Sequence, residues 1–143
     1  MGEQEPDRTG RPAGGPASTL HPDRWTEPFW AAARRHVLVV ALCVDCGTPR
    51  PVPPGPYCWE CDAQDVVWSP LPGTGKVFTY TVVRQVERPY AIAVVELDGV
   101  TGVRLMSDLV GVDPETVGIG MPVEVWWDDV DATTTIPRFA VPG

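Results

Sequence analysis

Four cysteines, the only ones in the chain, stand as Cys43-Val44-Asp45-Cys46 and Cys58-Trp59-Glu60-Cys61. Eleven residues separate the pairs, so the pattern is C-x2-C-x11-C-x2-C. Each short loop turns sharply enough to present two sulfurs to one ion, and four soft thiolates suit a tetrahedral zinc ion. Gly47 follows the first pair, where such a knuckle commonly needs a positive φ. Between the pairs lie Pro49, Pro51, Pro53, Pro54, Gly55 and Pro56, which exclude a helix and leave an extended connection. The expectation is a rubredoxin-like zinc ribbon with Cys43, Cys46, Cys58 and Cys61 as ligands. Two disulfides would need an exported protein, and the N-terminus shows no apolar signal segment. A redox pair would open a helix in a βαβ unit, a setting absent here. With sulfur in all four positions, the metal is structural rather than catalytic.

The rest divides around this centre. Residues 1–20 are rich in Pro, Gly and charge and read as a disordered tail or linker. Under the linker reading the chain is half of a longer protein. Residues 21–37 hold the expected N-terminal helix, over 25–36, with Thr26 as cap, Glu27 in the first turn and Pro28 accepted there. Trp25, Phe29, Ala32, Ala33 and His36 share one helical side, with Trp30 beside them. Residues 38–72 form the ribbon, flanked by strands over 37–42 and 66–68. From residue 73 to 143 the pattern is all-β, with strands at 76–86, 90–97, 103–109 and 123–127. A last pair of segments, 133–136 and 138–141, closes the set. A tight turn is expected at Asp98-Gly99, and a short helical turn capped by Asp113 lies between the third and fourth strands. That order is that of an OB-fold barrel. The fold class is therefore mainly β: helix, zinc ribbon, five-stranded OB barrel.

The chemistry left over is sparse. An OB barrel that binds single-stranded nucleic acid needs exposed aromatics and a basic groove. From Thr74 onward, Lys76, Arg84, Arg88, Arg104 and Arg138 face ten carboxylates, and the chain carries −8. A free-standing nucleic-acid module is thus the alternative rather than the leading reading. His21 adjoins the tail, and His36 is expected to meet the last helical carbonyls rather than to catalyse. Asp128, Asp129 and Asp131 lack the glycine and spaced glutamate of a calcium loop and read as a solvated turn. Ser69 and Ser107 have no His or Asp at motif spacing, and an independent CoA-thioester enzyme lacks its acid/base set. No run is long enough to cross a membrane. Trp25, Phe29 and Trp30 are candidate anchors for a partner, with Trp30 first because it falls off the stripe.

Several segments in this order carry a family resemblance. They are Pro28-Phe29-Trp30, Cys43-Val44-Asp45-Cys46-Gly47, Pro56-Tyr57-Cys58, the strand from Gly75 to Val83, and the turns Leu109–Pro114 and Ile119–Val123. Over residues 24–141 the chain resembles the zinc-ribbon/OB-fold acyl-CoA-associated proteins, first described as a domain of unknown function. It is similar to the C-terminal domain of actinobacterial steroid enoyl-CoA hydratase subunits that pairs with a lipid-transfer-protein-like, thiolase-fold aldolase. The resemblance implies a cytoplasmic, non-catalytic subunit of a hetero-oligomer. It would bind the thiolase-fold partner and help form an acyl-CoA site, with retro-aldol cleavage of a steroid β-hydroxyacyl-CoA as the complex's reaction. Lys76, Arg84, Arg88 and Arg104 are the barrel cations a CoA phosphate could use.

Overall fold

The computed structural model describes Gly14 and residues 20–143; of the tail segment, the remainder lies outside the described residues. Helix α1 spans Glu27–Arg34. Its entry differs from the expectation. Thr26 makes no side-chain cap; the Asp23 carboxylate instead accepts from the Trp25 and Thr26 amides, both at 2.9 Å. Asp23 is a charged acceptor, and three residues upstream of Thr26 it gathers the turn that feeds the helix. Pro28 sits in the first turn, and Glu27 pairs with Arg34 at 2.7 Å. Phe29, Ala32 and Ala33 form the buried side of α1, as the helical stripe required.

The ribbon strands β1 (Val39–Cys43) and β2 (Val66–Pro70) pair antiparallel, from Val39 opposite Pro70 to Cys43 opposite Val66. The barrel holds β3 (Thr74–Val83), β4 (Tyr90–Leu97), β5 (Arg104–Asp108), β6 (Pro122–Asp129) and β7 (Thr135–Ala140). Their order in the sheet is β5-β4-β3-β6-β7. β3 bonds β4 along nearly its whole length and β6 only at Thr74–Lys76, and its register slips between Val77 and Thr79. That bulge and Gly75 bend the strand from one wall of the barrel into the next. A Cβ at position 75 would collide with the Glu96 carbonyl oxygen, so close approach requires glycine. A 3₁₀ turn, Pro114–Thr116, sits between the third and fourth barrel strands, capped by Asp113 on the Glu115 amide.

Closure comes where β5 meets β7. Leu109 bridges Phe139 in parallel, Val110 N–H donates to the Phe139 carbonyl at 2.8 Å, and the Ser107 hydroxyl donates to the Pro137 carbonyl at 3.2 Å. Arg138 joins Asp108 and Asp128 in the same seam. The result is a nearly closed five-stranded OB barrel, as the strand order implied. Its interior alternates as a half-buried sheet should: Ala91, Ala93, Val95 and Leu97 face in, and Val77, Val123 and Phe139 meet them. Val39 and Val40 of the ribbon join this cluster, together with Phe29 and Ala32 of α1.

Two local expectations fail. The β4–β5 connection is residues 98–103, longer than a two-residue turn, with Gly99 and Gly102 both at positive φ. The last strand is one continuous element rather than two: Pro137 stands buried within it, opposite Trp127, with its carbonyl accepting from the Ser107 hydroxyl.

Candidate metal centre

Each cysteine pair is built by the same backbone device. Gly47 N–H donates to the Cys43 carbonyl and Asp62 N–H to the Cys58 carbonyl, both at 2.9 Å. Gly47 has φ 75° and Asp62 φ 63°, so both knuckles exit through a left-handed residue. Aspartate tolerates that conformation better than most side chains, and its place directly after the second pair was the signal that sequence reading passed over. Cys43 N–H and Cys58 N–H then reach Thr48 and Ala63 carbonyls at 3.0 and 2.8 Å.

The four sulfurs lie within 4.8 Å of one another, with Cys43–Cys61 and Cys46–Cys58 at 3.6 Å. A tetrahedron with metal–sulfur bonds of 2.3 Å has sulfur–sulfur edges of about 3.8 Å. The donor set therefore fits a four-coordinate thiolate ion, with no coordination position left over. Among the described residues these cysteines are the one cluster of three or more such ligands. Cys43 and Cys58 are buried, Cys46 and Cys61 exposed. The Cys46 amide, ahead of that of Asp45, draws the Cys43 thiol down to about 6. Cys58 is held below the ordinary thiol value although burial opposes it, because the Cys61 and Glu60 amides favour its thiolate. At Cys61 the Ala63 amide favours ionisation, but the Cys46 and Cys43 sulfurs outweigh it and push the thiol up to about 12. Four thiolates at this spacing need a cation among them, which is the electrostatic case for a metal.

Arg50, unremarked in the sequence beyond its place among prolines, proves to be the largest fully buried side chain, 1 % exposed. Its guanidinium donates to the carbonyls of Gly55 at 3.0 Å and Ala63 at 2.7 Å, with Gln64 at 3.3 Å. It ties the inter-knuckle loop to the chain leaving the second knuckle, and so fixes the separation of the two cysteine pairs.

The other candidate residues scatter. Phe29 is 2 % exposed and belongs to the core, so it is not a surface anchor. Trp30 is half-buried, edge-on to Phe29 at 4.9 Å, and Trp25 lies under the Arg24 guanidinium at 4.3 Å. Lys76 and Arg104 belong to one row across the sheet, with Glu96 between them. Arg84 lies eight positions beyond Lys76, roughly 25 Å of strand away, and pairs with Glu115 at 2.5 Å. Arg88 follows in the loop before β4. The four cations thus occupy two ends of the barrel. His36 does not cap α1 with its ring. It has φ 59°, stacks on Trp127 at 5.6 Å and meets Asp129 at 2.9 Å; Arg35 instead donates to a helical carbonyl. The His36 contact, ahead of that of Thr135, lowers the Asp129 carboxyl. Asp128 is not a solvated turn residue but is buried against Arg138. Asp131 does hold the β6–β7 turn, accepting from the Thr133 amide at 2.8 Å.

A family model described as the C-terminal OB-fold domain of ChsH2 matches residues 68–128. Among solved structures, a chain of the Ltp2-ChsH2(DUF35) aldolase is similar at 36 % identity with a TM-score of 0.74, covering 86 % of this chain and 98 % of that one. The chain belongs to the DUF35 family. Among curated proteins it is similar to the probable enoyl-CoA hydratase alpha subunit of Thermomonospora curvata, 41 % identical over 122 residues, or 80 % of this chain and 37 % of that protein. The 3-oxo-4,17-pregnadiene-20-carboxyl-CoA hydratase alpha subunit of Mycobacterium tuberculosis is 34 % identical, over 83 % of this chain and 42 % of that protein. The chain spans about two fifths of the length of these two subunits. Among the described residues, no helix is long and apolar enough to cross a membrane.

Proposed function

We propose that this chain is a non-catalytic accessory subunit of an acyl-CoA-processing hetero-oligomer, docked on a thiolase-fold, lipid-transfer-protein-like subunit. The observation that carries this reading is the near-complete coverage, 98 %, of a chain from an aldolase bearing the same family's name. The hydratase subunit named for a pregnadiene-carboxyl-CoA supports a steroid acyl-CoA as the substrate class. Together they favour retro-aldol cleavage of a steroid β-hydroxyacyl-CoA. In that step the β-hydroxyl gives up its proton and becomes a carbonyl as the Cα–Cβ bond breaks, the electron pair passes to the thioester enolate, and the enolate takes a proton at Cα. In this reading the partner supplies the groups that move those protons, and the DUF35 chain braces the wall of the acyl-CoA site. The ion in the ribbon is zinc. Four cysteinate donors suit it, and a saturated sphere leaves it a structural task. Four reduced thiols in place of disulfides favour the cytoplasm.

The test is reconstitution. The isolated chain should leave a steroid β-hydroxyacyl-CoA intact, and its complex with the thiolase-fold subunit should cleave it. Robust turnover by this chain alone overturns the reading. Trp30 provides the interface test. Trp30→Ala should weaken the complex about tenfold or more while the chain keeps its metal. A lowered Tm with unchanged affinity at low temperature would assign Trp30 to the core alone.

A further inference from the structure

Ribbon and barrel meet at a cleft of about 360 Å³, walled by Pro49, Pro51 and Trp59 on one side and Gly102, Val103 and Arg104 on the other. From its shape and chemistry we infer that this cleft takes the purine nucleotide end of CoA, with adenine against Trp59 and a phosphate on Arg104. The inference rests on the acyl-CoA reading above and adds a location to it.

Trp59 offers the flat surface. Its side chain is 68 % exposed although it follows directly on the buried Cys58. A rigid knuckle thus holds an indole face in water, where a base gains by stacking. The proline rings continue the apolar wall. Opposite them, Gly102 has φ 76°, and nothing lies within 4 Å of where its Cβ would be. The floor is therefore bare backbone, open to a flat ring.

Arg104 supplies the charge. Its guanidinium lies 3.9 Å over the Phe78 ring, and its contact with Glu96 is long, 3.4 Å. The Phe78 ring face anchors the guanidinium carbon, and the group keeps its N–H donors in its plane, with the Glu96 contact occupying one nitrogen at long range. A planar fork held in this way matches a phosphate. The surrounding charge agrees. Lys76, Glu96 and Arg104 stand in register across β3, β4 and β5, two cations about one carboxylate. This is a locally positive row on a strongly acidic chain. At the other end of the barrel Arg84 is already held by Glu115. The cleft volume lies near the lower end of ordinary small-molecule sites, roughly 300–1,000 Å³. It accommodates a nucleoside phosphate and leaves the pantetheine arm and acyl group to run outside, where a partner subunit can meet them.

The test is calorimetric titration of the metal-loaded full chain with 3′-phosphoadenosine 5′-phosphate, with adenosine and inorganic phosphate as separate arms. We expect saturable binding of one nucleotide per chain, with adenosine alone and phosphate alone each about tenfold weaker or worse. Arg104→Gln should lose about tenfold in affinity, and Trp59→Leu several-fold, each with metal content retained. Arg34→Gln, on helix α1, should bind as the unaltered chain does. Absence of saturable binding overturns the inference. So does inorganic phosphate competing as well as the nucleotide, or Arg104→Gln binding normally. Complex formation with the thiolase-fold subunit, measured in parallel, separates the two levels. A complex that forms and cleaves its thioester while the chain ignores the nucleotide removes the cleft assignment and leaves the subunit reading standing.

Discussion

Apart from the Arg138–Asp128 pair and Thr135 near the seam, the buried groups of the barrel are apolar: Val77, Ala93, Val95, Val123 and Phe139 are each at most 1 % exposed. In the outer part of the ribbon they are Cys43, Cys58 and Arg50, and β2 has no buried residue at all. One region is held by non-directional burial, which tolerates exchange among side chains of similar volume. The other is held by a cysteine cluster that fits a metal ion and by three carbonyl contacts, each with a required direction. β1 belongs to both, since Val39 and Val40 sit in the barrel's core cluster while Cys43 at its end is one of the four clustered cysteines. The ribbon is thus rooted in the core but not held up by it. Damage to either part should therefore stay largely local, with β1 as the one element they share.

The strongest way to break this contrast is to remove a ligand. Structural zinc sites bind with about 10 kcal/mol or more, coupled to folding. Cys58→Ser should therefore lose the metal and the order of residues 44–65, read by elemental analysis and by amide spectra. A full metal equivalent in a well-folded variant would refute the four-ligand site. The reciprocal experiment is Phe139→Ala, expected to cost about 3–5 kcal/mol in denaturant unfolding. The variant should still bind one metal per chain under native conditions; metal loss there would show the ribbon to be more dependent on the core than the contrast allows. The smallest effect sharpens the comparison from inside the ribbon. Arg50→Met removes the donor to three carbonyls and should cost about 1–3 kcal/mol. It should show as easier removal of the metal by chelator, with the barrel's unfolding midpoint nearly unchanged. A shift confined to the barrel would mean that Arg50 acts through β1 instead.

The cysteine cluster was legible, because four residues of one rare type at fixed spacing admit few geometries. The barrel was legible as strand order, since each strand carries its own alternation and the capped turn falls between the third and fourth. What escaped depends on partners far along the chain. Arg50 among prolines looks like a surface cation; only the folded ribbon brings the carbonyls of residues 55, 63 and 64 around it. His36 ends a helix in sequence, but its ring is claimed by Trp127 and Asp129, more than ninety residues on. Of the neighbours Phe29 and Trp30, the helical stripe already set Trp30 apart as the anchor; only the fold shows that Phe29 belongs to the core cluster while Trp30 stays half-buried. The bulge at Phe78 has no composition of its own, and follows from the need to bend one strand around two walls.

The seam between β5 and β7 has a consequence for the company the protein keeps. An open sheet offers two rows of unused peptide groups, to which any extended chain can add itself. Here those rows are turned toward each other and spanned by the Leu109–Phe139 bridge, the Ser107 hydroxyl and the Arg138 guanidinium. Pro137 also denies an incoming strand one of the donors it would need. Under the proposed subunit role the chain must stick selectively, and this closure withdraws the most promiscuous adhesive a β-sheet possesses. Recognition is then left to side chains, which can tell one partner from another.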